Sequence, residues 1–584
     1  MRTFVAFLCL TAPLALASCG SSSDGGGGNT CAAGGSGGEA AGGKIDLLLM
    51  VDNSLSMADK QALLISSVDD LVGRFTAPRC VDGKGQPTGQ SYPCDPCSVP
   101  EFRPVADMHI GVVSSSLGSF GGDLCDPISP SYTAEQNDRA HLLGSVRPGL
   151  PQQDGLGFLA WAPGATQDPA QLANELRQHV GAVGEKGCGH EAQLESWYRF
   201  LIDPQPPVRV ERSSSTVVVP TCAAEGQPCE TDGVCVSGFC ADKTLLDQRA
   251  AFLREDSAVV IVMLTDENDC SRLATGQTWL VSISSPGLPR ARAVCNSNPD
   301  DACCTSCGAP DVAGCTPASQ DPECAKGNYS EPEDNLNLRC WEQKRRFGID
   351  FLAPTSRYID GLSAQSVEDR SGSPVPNPLF ASGKRGSDRV FLAGIVGVPW
   401  QLIATDASQS ASAPLEYKRA SQIDWAKITP TGSQPPSDPH MVESNQPRPL
   451  VADWTAPNTD PIHGHDWDIT AGFGSQGAGD LQYACTFPLA QPKDCSSTAE
   501  ACDCWQGAVD GKNPLCWDGS AFTSVQHRAK AYPGLRQLDV MKGIGDQAIV
   551  ASICPKNPYV AQDPSSGYGP AVDAIVRSVA TALP

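Results

Sequence analysis

Residues 44–57 read KIDLLLMVDNSLSM, and the fold of the chain turns on this stretch. From Ile45 to Val51 the residues are apolar except for Asp46. A short, almost continuous apolar run marks a strand buried on both faces, as at the centre of a parallel sheet. The run stops at Asp52, and Ser54 and Ser56 follow at alternate positions. Alternate residues of an extended segment point the same way, so one carboxylate and two hydroxyls can face a common point. The next residues, MADKQALLISSVDDLVGRF, place Met57, Leu63, Leu64, Val68, Leu71 and Val72 near helical spacing. The order is strand, polar loop, helix.

The same buried-strand pattern returns in MHIGVVSS (108–115), AVVIVMLTD (258–266) and RVFLAGIVGVP (389–399), and more weakly in QAIVASICP (547–555). HEAQLESWYRFLI (190–202) and YGPAVDAIVRSVATAL (568–583) read as helices. Strands alternating with helices predict an α/β fold with a doubly wound, mostly parallel sheet over 44–584. The wide spacing of these elements leaves room for large insertions, at about 204–248, 290–345 and 400–546.

Cysteines cluster in those insertions. CAAEGQPCETDGVCVSGFC (222–240) carries four, Cys295 to Cys340 carries seven, and Cys485 to Cys516 carries five. Two C-x-x-C pairs, Cys94/Cys97 and Cys304/Cys307, raise zinc as a rival, but regularly paired sets are missing. Export favours disulfides instead. The N-terminus supports export: Arg2 precedes the apolar FVAFLCLTAPLALA, and LASC ends at Cys19. Residues 1–18 therefore read as a signal peptide. LASC resembles a lipobox, which implies cleavage before Cys19 and lipidation of its thiol. Gly20 rather than Asp after it resembles the pattern of lipoproteins sent to the outer membrane. Residues 19–43, rich in Gly and Ser, read as a flexible tether. Lipid alone would then hold the chain to the cell envelope, since no later stretch is long and apolar enough to span a bilayer. With 42 Lys plus Arg against 66 Asp plus Glu, the net charge of −24 disfavours nucleic acid as a partner.

The third strand ends in Thr265-Asp266-Glu267-Asn268-Asp269, a second acidic loop at an equivalent sheet edge. Ligands of open α/β sheets bind beyond the carboxyl ends of the strands. Carboxylates and hydroxyls suit a hard cation such as Mg²⁺. Asp52-x-Ser54-x-Ser56 after one apolar strand, with Asp266 after a later one, resembles the von Willebrand factor type A domain and its metal-ion-dependent adhesion site. The resemblance implies Mg²⁺, or Mn²⁺ or Ca²⁺, held by Asp52, Ser54, Ser56 and Asp266, with an open position that accepts a carboxylate from a protein or matrix partner. The family's intervening threonine has no counterpart. Gly187, Cys188, Gly189, His190 and Glu191 stand in its place, and Glu191 is the candidate substitute ligand.

A separate cluster, HGHDWD (463–468), gathers His463, His465, Asp466 and Asp468. It reads either as a surface turn with solvated histidines or as the nucleus of a metallohydrolase site using His463 and His465. No H-E-x-x-H or P-loop pattern accompanies it, and no G-x-S-x-G lies beyond the Gly-rich tether. A non-enzymatic binding protein is the leading expectation, and a structural envelope protein with a degenerate metal site is the remaining alternative.

Overall fold

A computed structural model describes residues 43–162, 168–284, 287–451, 459–474, 477–496, 502–560 and 565–583. The signal peptide, Cys19 and all but the last residue of the tether lie outside the described residues.

The apolar run forms β1 (Lys44–Val51), buried from Ile45 onward. It pairs in parallel with β2 (Asp107–Ser114) on one side and β4 (Ala258–Leu264) on the other. β4 pairs in parallel with β5 (Val390–Val396), and β5 with β6 (Ala548–Ser552). A short antiparallel edge strand, β3 (Leu159–Trp161), lies against β2. The result is a mixed α/β chain with a mostly parallel six-stranded sheet in the order β3-β2-β1-β4-β5-β6. Every residue of β4 and β5 is buried. That burial explains why these strands read as unbroken apolar runs, not as alternating ones.

Seven helices position the sheet: α1 (Ala58–Thr76), α2 (Pro169–Gly181), α3 (Gln193–Leu201), α4 (Lys243–Phe252), α5 (Thr355–Ser363), α6 (Leu535–Ile544) and α7 (Gly569–Ala580). α1 packs with α2 and α7, whereas α3 packs with α4 and α5, and α5 with α6. In α1, Leu63, Leu64, Val68, Leu71 and Val72 make the buried stripe that the spacing predicts, and Phe75 extends it. At the opposite end of the sheet from the acidic loops, Asp46 is fully buried and accepts from Arg254 Nε at 2.7 Å and from the Arg254 backbone N–H at 2.8 Å.

Every cysteine among the described residues is disulfide-bonded. Cys94 joins Cys80, Cys304 joins Cys295 and Cys307 joins Cys324, so neither C-x-x-C pair is free for zinc. Disulfide bonding on this scale belongs to an oxidising, extracytoplasmic setting. Among the described residues no helix is long and apolar enough to cross a membrane. The insertions are fastened close to the carboxyl end of the sheet. Cys485–Cys554 ties the antiparallel ribbon Cys485–Asp494/Val525–Ala531 to the end of β6, and Cys270–Cys340 ties the loop after β4 to a second insertion.

Candidate functional site

Strand register brings the acidic loops together. Val51 lies opposite Ser114 on β2 and Leu264 on β4, so Asp52, Ser115 and Thr265 emerge side by side. The Asp52 backbone N–H donates to Leu264 O at 3.0 Å, extending the ladder by one residue. Asp52 is fully buried, and both carboxylate oxygens are occupied. Oδ1 accepts from the Ser54 N–H at 2.9 Å and from Ser115 Oγ at 3.1 Å. Oδ2 accepts from Thr265 Oγ1 at 2.6 Å and from Gln193 Nε2 at 3.3 Å. Asp52 is thus a hub that locks the two strand-end loops and α3 into one geometry.

Asp266 is also fully buried. Its Oδ2 accepts from Ser56 Oγ at 2.7 Å and pairs with Lys60 Nζ at 2.8 Å. Lys60 sits in the first turn of α1, 1% exposed, and its ammonium also donates to Ser56 O at 2.7 Å. Three atoms of this cluster lack any hydrogen-bond partner among the described residues: Ser54 Oγ, Asp266 Oδ1 and, on the side chain that donates to Asp52, Gln193 Oε1. Buried polar atoms are nearly always satisfied, and Ser54 Oγ and Asp266 Oδ1, both oxygens of the two strand-end loops, call for a ligand.

The loop at 187–191 completes the enclosure. Gly187 N–H donates to Asn53 O at 2.8 Å, and a Cβ on Gly187 would stand 2.6 Å from Asn53 Oδ1, so only glycine permits this approach. Cys188 is bonded to Cys125 and is unavailable as a ligand. His190 faces the Leu336 carbonyl at 3.2 Å and Ser282 at 3.2 Å. Burial and the charge of Arg272 push its pKa down to about 3, which keeps it neutral. Glu191 is buried and near Glu267 and Asp52; burial, then those two charges, push its carboxyl well above the usual range. Burial and the charges of Asp266 and Asp52 carry Glu267 up to about 8, and the Glu191 and Glu267 carboxyls lie against each other.

The five residues singled out from the sequence, Asp52, Ser54, Ser56, Asp266 and Glu191, therefore meet at one place. Glu267 and Lys60 belong with them and were not singled out. Glu267 could have been found from its position beside Asp266, and Lys60 from its place one helical turn after Ser56.

The loops floor a cavity of about 500 Å³. Its walls come from the insertions, including Trp341, Asp480, Asp503, Trp505, Lys530 and Tyr532. The Tyr532 N–H donates to Asp266 O at 2.8 Å, fixing the wall to the floor. Lys530 pairs with Asp503 at 2.9 Å. Burial works against its ammonium, yet Asp503, Tyr532 and Asp480 hold the pKa well above the usual lysine value. Leu55, 65% exposed, stands at the rim.

The HGHDWD segment differs from the solvated turn that its composition suggests. His463 and His465 are both fully buried, and Asp466 is 1% exposed. The two histidines are also not partners: His465 Nε2 donates to the Lys512 carbonyl at 2.7 Å, whereas His463 Nε2 meets Asp466 at 2.7 Å. Asp468 caps a short helix through the Thr470 and Ala471 N–H groups. The companions of His463 are His440 and Asp460, which lie outside the motif.

No protein-family model, no curated protein and no solved structure matches this chain.

Proposed function

We propose that this is an extracytoplasmic binding protein of von Willebrand factor A type, in which a divalent cation at the carboxyl end of β1 and β4 captures an acidic group of a protein or matrix partner. The observation that carries the reading is the pair of buried, unpartnered oxygens, Ser54 Oγ and Asp266 Oδ1, inside a group of four carboxyl residues. The donors fit a hard cation, since all are oxygens from carboxylates and hydroxyls. Ser54, Ser56, Asp266 and Glu191 are the residues that would hold Mg²⁺, Mn²⁺ or Ca²⁺, with Glu267 beside them and Asp52 orienting both loops.

The strand order supports a doubly wound sheet of this type. The order reverses between β1 and β4, and ligands of such sheets lie at the reversal, outside the carboxyl ends. Asp52 and Asp266 stand there. Charge supports it as well. Of the four carboxyls only Asp266 has a direct ion pair, with Lys60, while Lys530 acts on Glu267 from the cavity wall, so Asp52, Glu191 and Glu267 must hold protons or share a cation. A cation at this point supplies the positive charge that an acidic ligand would meet. The chain's own part is to desolvate that ligand and restrict its size. A cavity of about 500 Å³ with Leu55 at its rim admits a single acidic side chain or a short segment, not a broad surface. Lys530 and Lys493 also line the cavity, each paired with an aspartate of the same lining, Asp503 and Asp59.

The test is retention of immobilised aspartate-containing peptides by the full chain in Mg²⁺. We expect retention to be lost in chelator and lost for asparagine counterparts. Equal retention in chelator would overturn the reading. The anchor belongs to the same proposal: Cys19 tethers the chain by lipid to the cell envelope, at the outer membrane. Radiolabelled palmitate should enter the wild type and not Cys19→Ala, and equal labelling would exclude the anchor.

A further inference from the structure

The third insertion holds a second constellation, separate in residues and in chemistry from the strand-end site. His440 and Asp460 are twenty residues apart, and His463 follows one turn later. One ligand atom from each of the three can be chosen so that all lie within 4.8 Å of one another. The imidazole rings of His440 and His463 stand nearly perpendicular, at 88°, with centroids 5.1 Å apart.

Each ring has one nitrogen facing Asp460 and the other held by a different carboxylate. His440 Nε2 meets Asp460 Oδ2 at 3.0 Å, while its Nδ1 meets Asp438 Oδ1 at 2.9 Å. His463 Nδ1 lies 3.3 Å from Asp460 Oδ1, while its Nε2 meets Asp466 Oδ1 at 2.7 Å. Asp466 is itself fixed by Arg448, through Nε at 2.9 Å and a second nitrogen at 2.6 Å. Asp460 Oδ1 is aimed by the Ile462 N–H at 2.7 Å and the His463 N–H at 3.2 Å. Histidines that bind metals characteristically donate their far nitrogen to a carboxylate, which fixes the tautomer and raises the basicity of the near one. Both histidines have that support.

His463 is fully buried, and among the described residues its Nδ1 has only the Asp460 carboxylate, 3.3 Å away and too poorly aligned for a hydrogen bond. It faces the space shared with Asp460 and His440, where the other two donors converge. The cluster is reachable from one side, since the side chains of His440 and Asp460 are 11% and 10% exposed.

We propose that His440 Nε2, His463 Nδ1 and the Asp460 carboxylate bind Zn²⁺, or an equivalent borderline transition metal, within the third insertion. Two nitrogens and one carboxylate suit Zn²⁺ far better than the hard cations of the strand-end site. Three protein ligands leave a coordination position for water or a substrate group. At minimum the ion pins the loop at 438–440 to the loop at 460–466, the work that disulfides do elsewhere in the insertions. Binding releases whatever protons the two near nitrogens carry.

The test uses the full chain, stripped with chelator and dialysed. Titration with Zn²⁺, followed by elemental analysis after desalting, should give one retained equivalent. Co²⁺ in its place should give visible d–d absorption. His463→Ala and Asp460→Asn should abolish retention and the Co²⁺ spectrum. Asp438→Asn should weaken Zn²⁺ binding by roughly 10- to 100-fold, the usual effect of losing a supporting carboxylate. His465→Ala, held by a carbonyl elsewhere, should retain the equivalent in full. If His463→Ala fails to fold, Asp460→Asn and the wild-type Co²⁺ spectrum still decide. The proposal fails if the stripped wild type retains no Zn²⁺, or if Asp460→Asn retains it equally. Asp266→Asn distinguishes the two sites: it should leave Zn²⁺ retention unchanged whatever it does to Mg²⁺.

Discussion

Ser54→Ala distinguishes a ligand from a spacer, because the structure gives the Ser54 hydroxyl nothing else to do. Its Oγ is buried and unpartnered, whereas the Ser54 backbone N–H carries the link to Asp52 and survives the substitution. A buried polar atom left unsatisfied costs about 1–3 kcal/mol. Deleting one should leave the metal-free chain equally stable or more stable, by up to about 1 kcal/mol once lost packing is set against it. The same change removes one oxygen donor from the cation. Losing a ligand of even 1.4 kcal/mol lowers affinity about tenfold, and we expect at least that for Mg²⁺. The signature is opposite signs in the two states. Urea denaturation of the stripped and Mg²⁺-saturated chain reads the stability effect, and calorimetric titration reads the affinity. A variant destabilised without metal and unaltered in Mg²⁺ affinity would refute the reasoning and make Ser54 a structural residue. Asp52→Ala is a poorer probe, because it strands four donors at once and threatens the fold.

Three further outcomes follow from the same geometry. Glu267, at about 8 when folded and near 4.5 when unfolded, binds more protons in the native state between those values, so stability of the metal-free chain should fall as pH rises through that window. The slope is bounded at about 1.4 kcal/mol per pH unit for one group, and saturating Mg²⁺ should flatten it; urea midpoints at pH 5 and pH 8 check this. Lys60→Met removes the cation that pairs with Asp266, which should destabilise the stripped chain and tighten Mg²⁺ binding, as read by thermal melts with and without Mg²⁺. Asp46→Ala removes a buried carboxylate at the other end of the sheet, leaving Arg254 with Asp107 as its remaining ion-pair partner and Arg385 with carbonyls and Ser257, and should cost up to about 3–5 kcal/mol of stability, while Mg²⁺ affinity of the folded chain stays at the wild-type value.

The long parallel strands were legible because burial on both faces leaves an unbroken apolar run: KIDLLLMV, AVVIVML and VFLAGIV fall where such runs predict them. Edge strand β3 was not, since three residues, Leu159–Trp161, carry no period. Helix α2 is marked in the sequence by its start signal, Asp168 followed by Pro169. At the site, the floor was readable because strand register is local: Asp52 and Asp266 follow directly from β1 and β4. The walls were not. Trp341, Asp503, Lys530 and Tyr532 reach the cavity through loops whose course is set by Cys270–Cys340 and by the ribbon joined to β6, and disulfide connectivity cannot be read from spacing. His440 is not legible because it lies twenty residues before Asp460 and outside the HGHDWD motif, while His465, inside that motif, turns toward the Lys512 carbonyl.

The most direct measurement is calorimetric titration of Mg²⁺ into the chelator-stripped full chain at pH 8, repeated with Ser54→Ala. The account predicts one saturable site in the wild type, a rise in melting temperature on saturation, and at least about a tenfold loss of affinity in the variant. No heat and no change in melting temperature at millimolar Mg²⁺, Mn²⁺ or Ca²⁺, or identical binding by the variant, would contradict it.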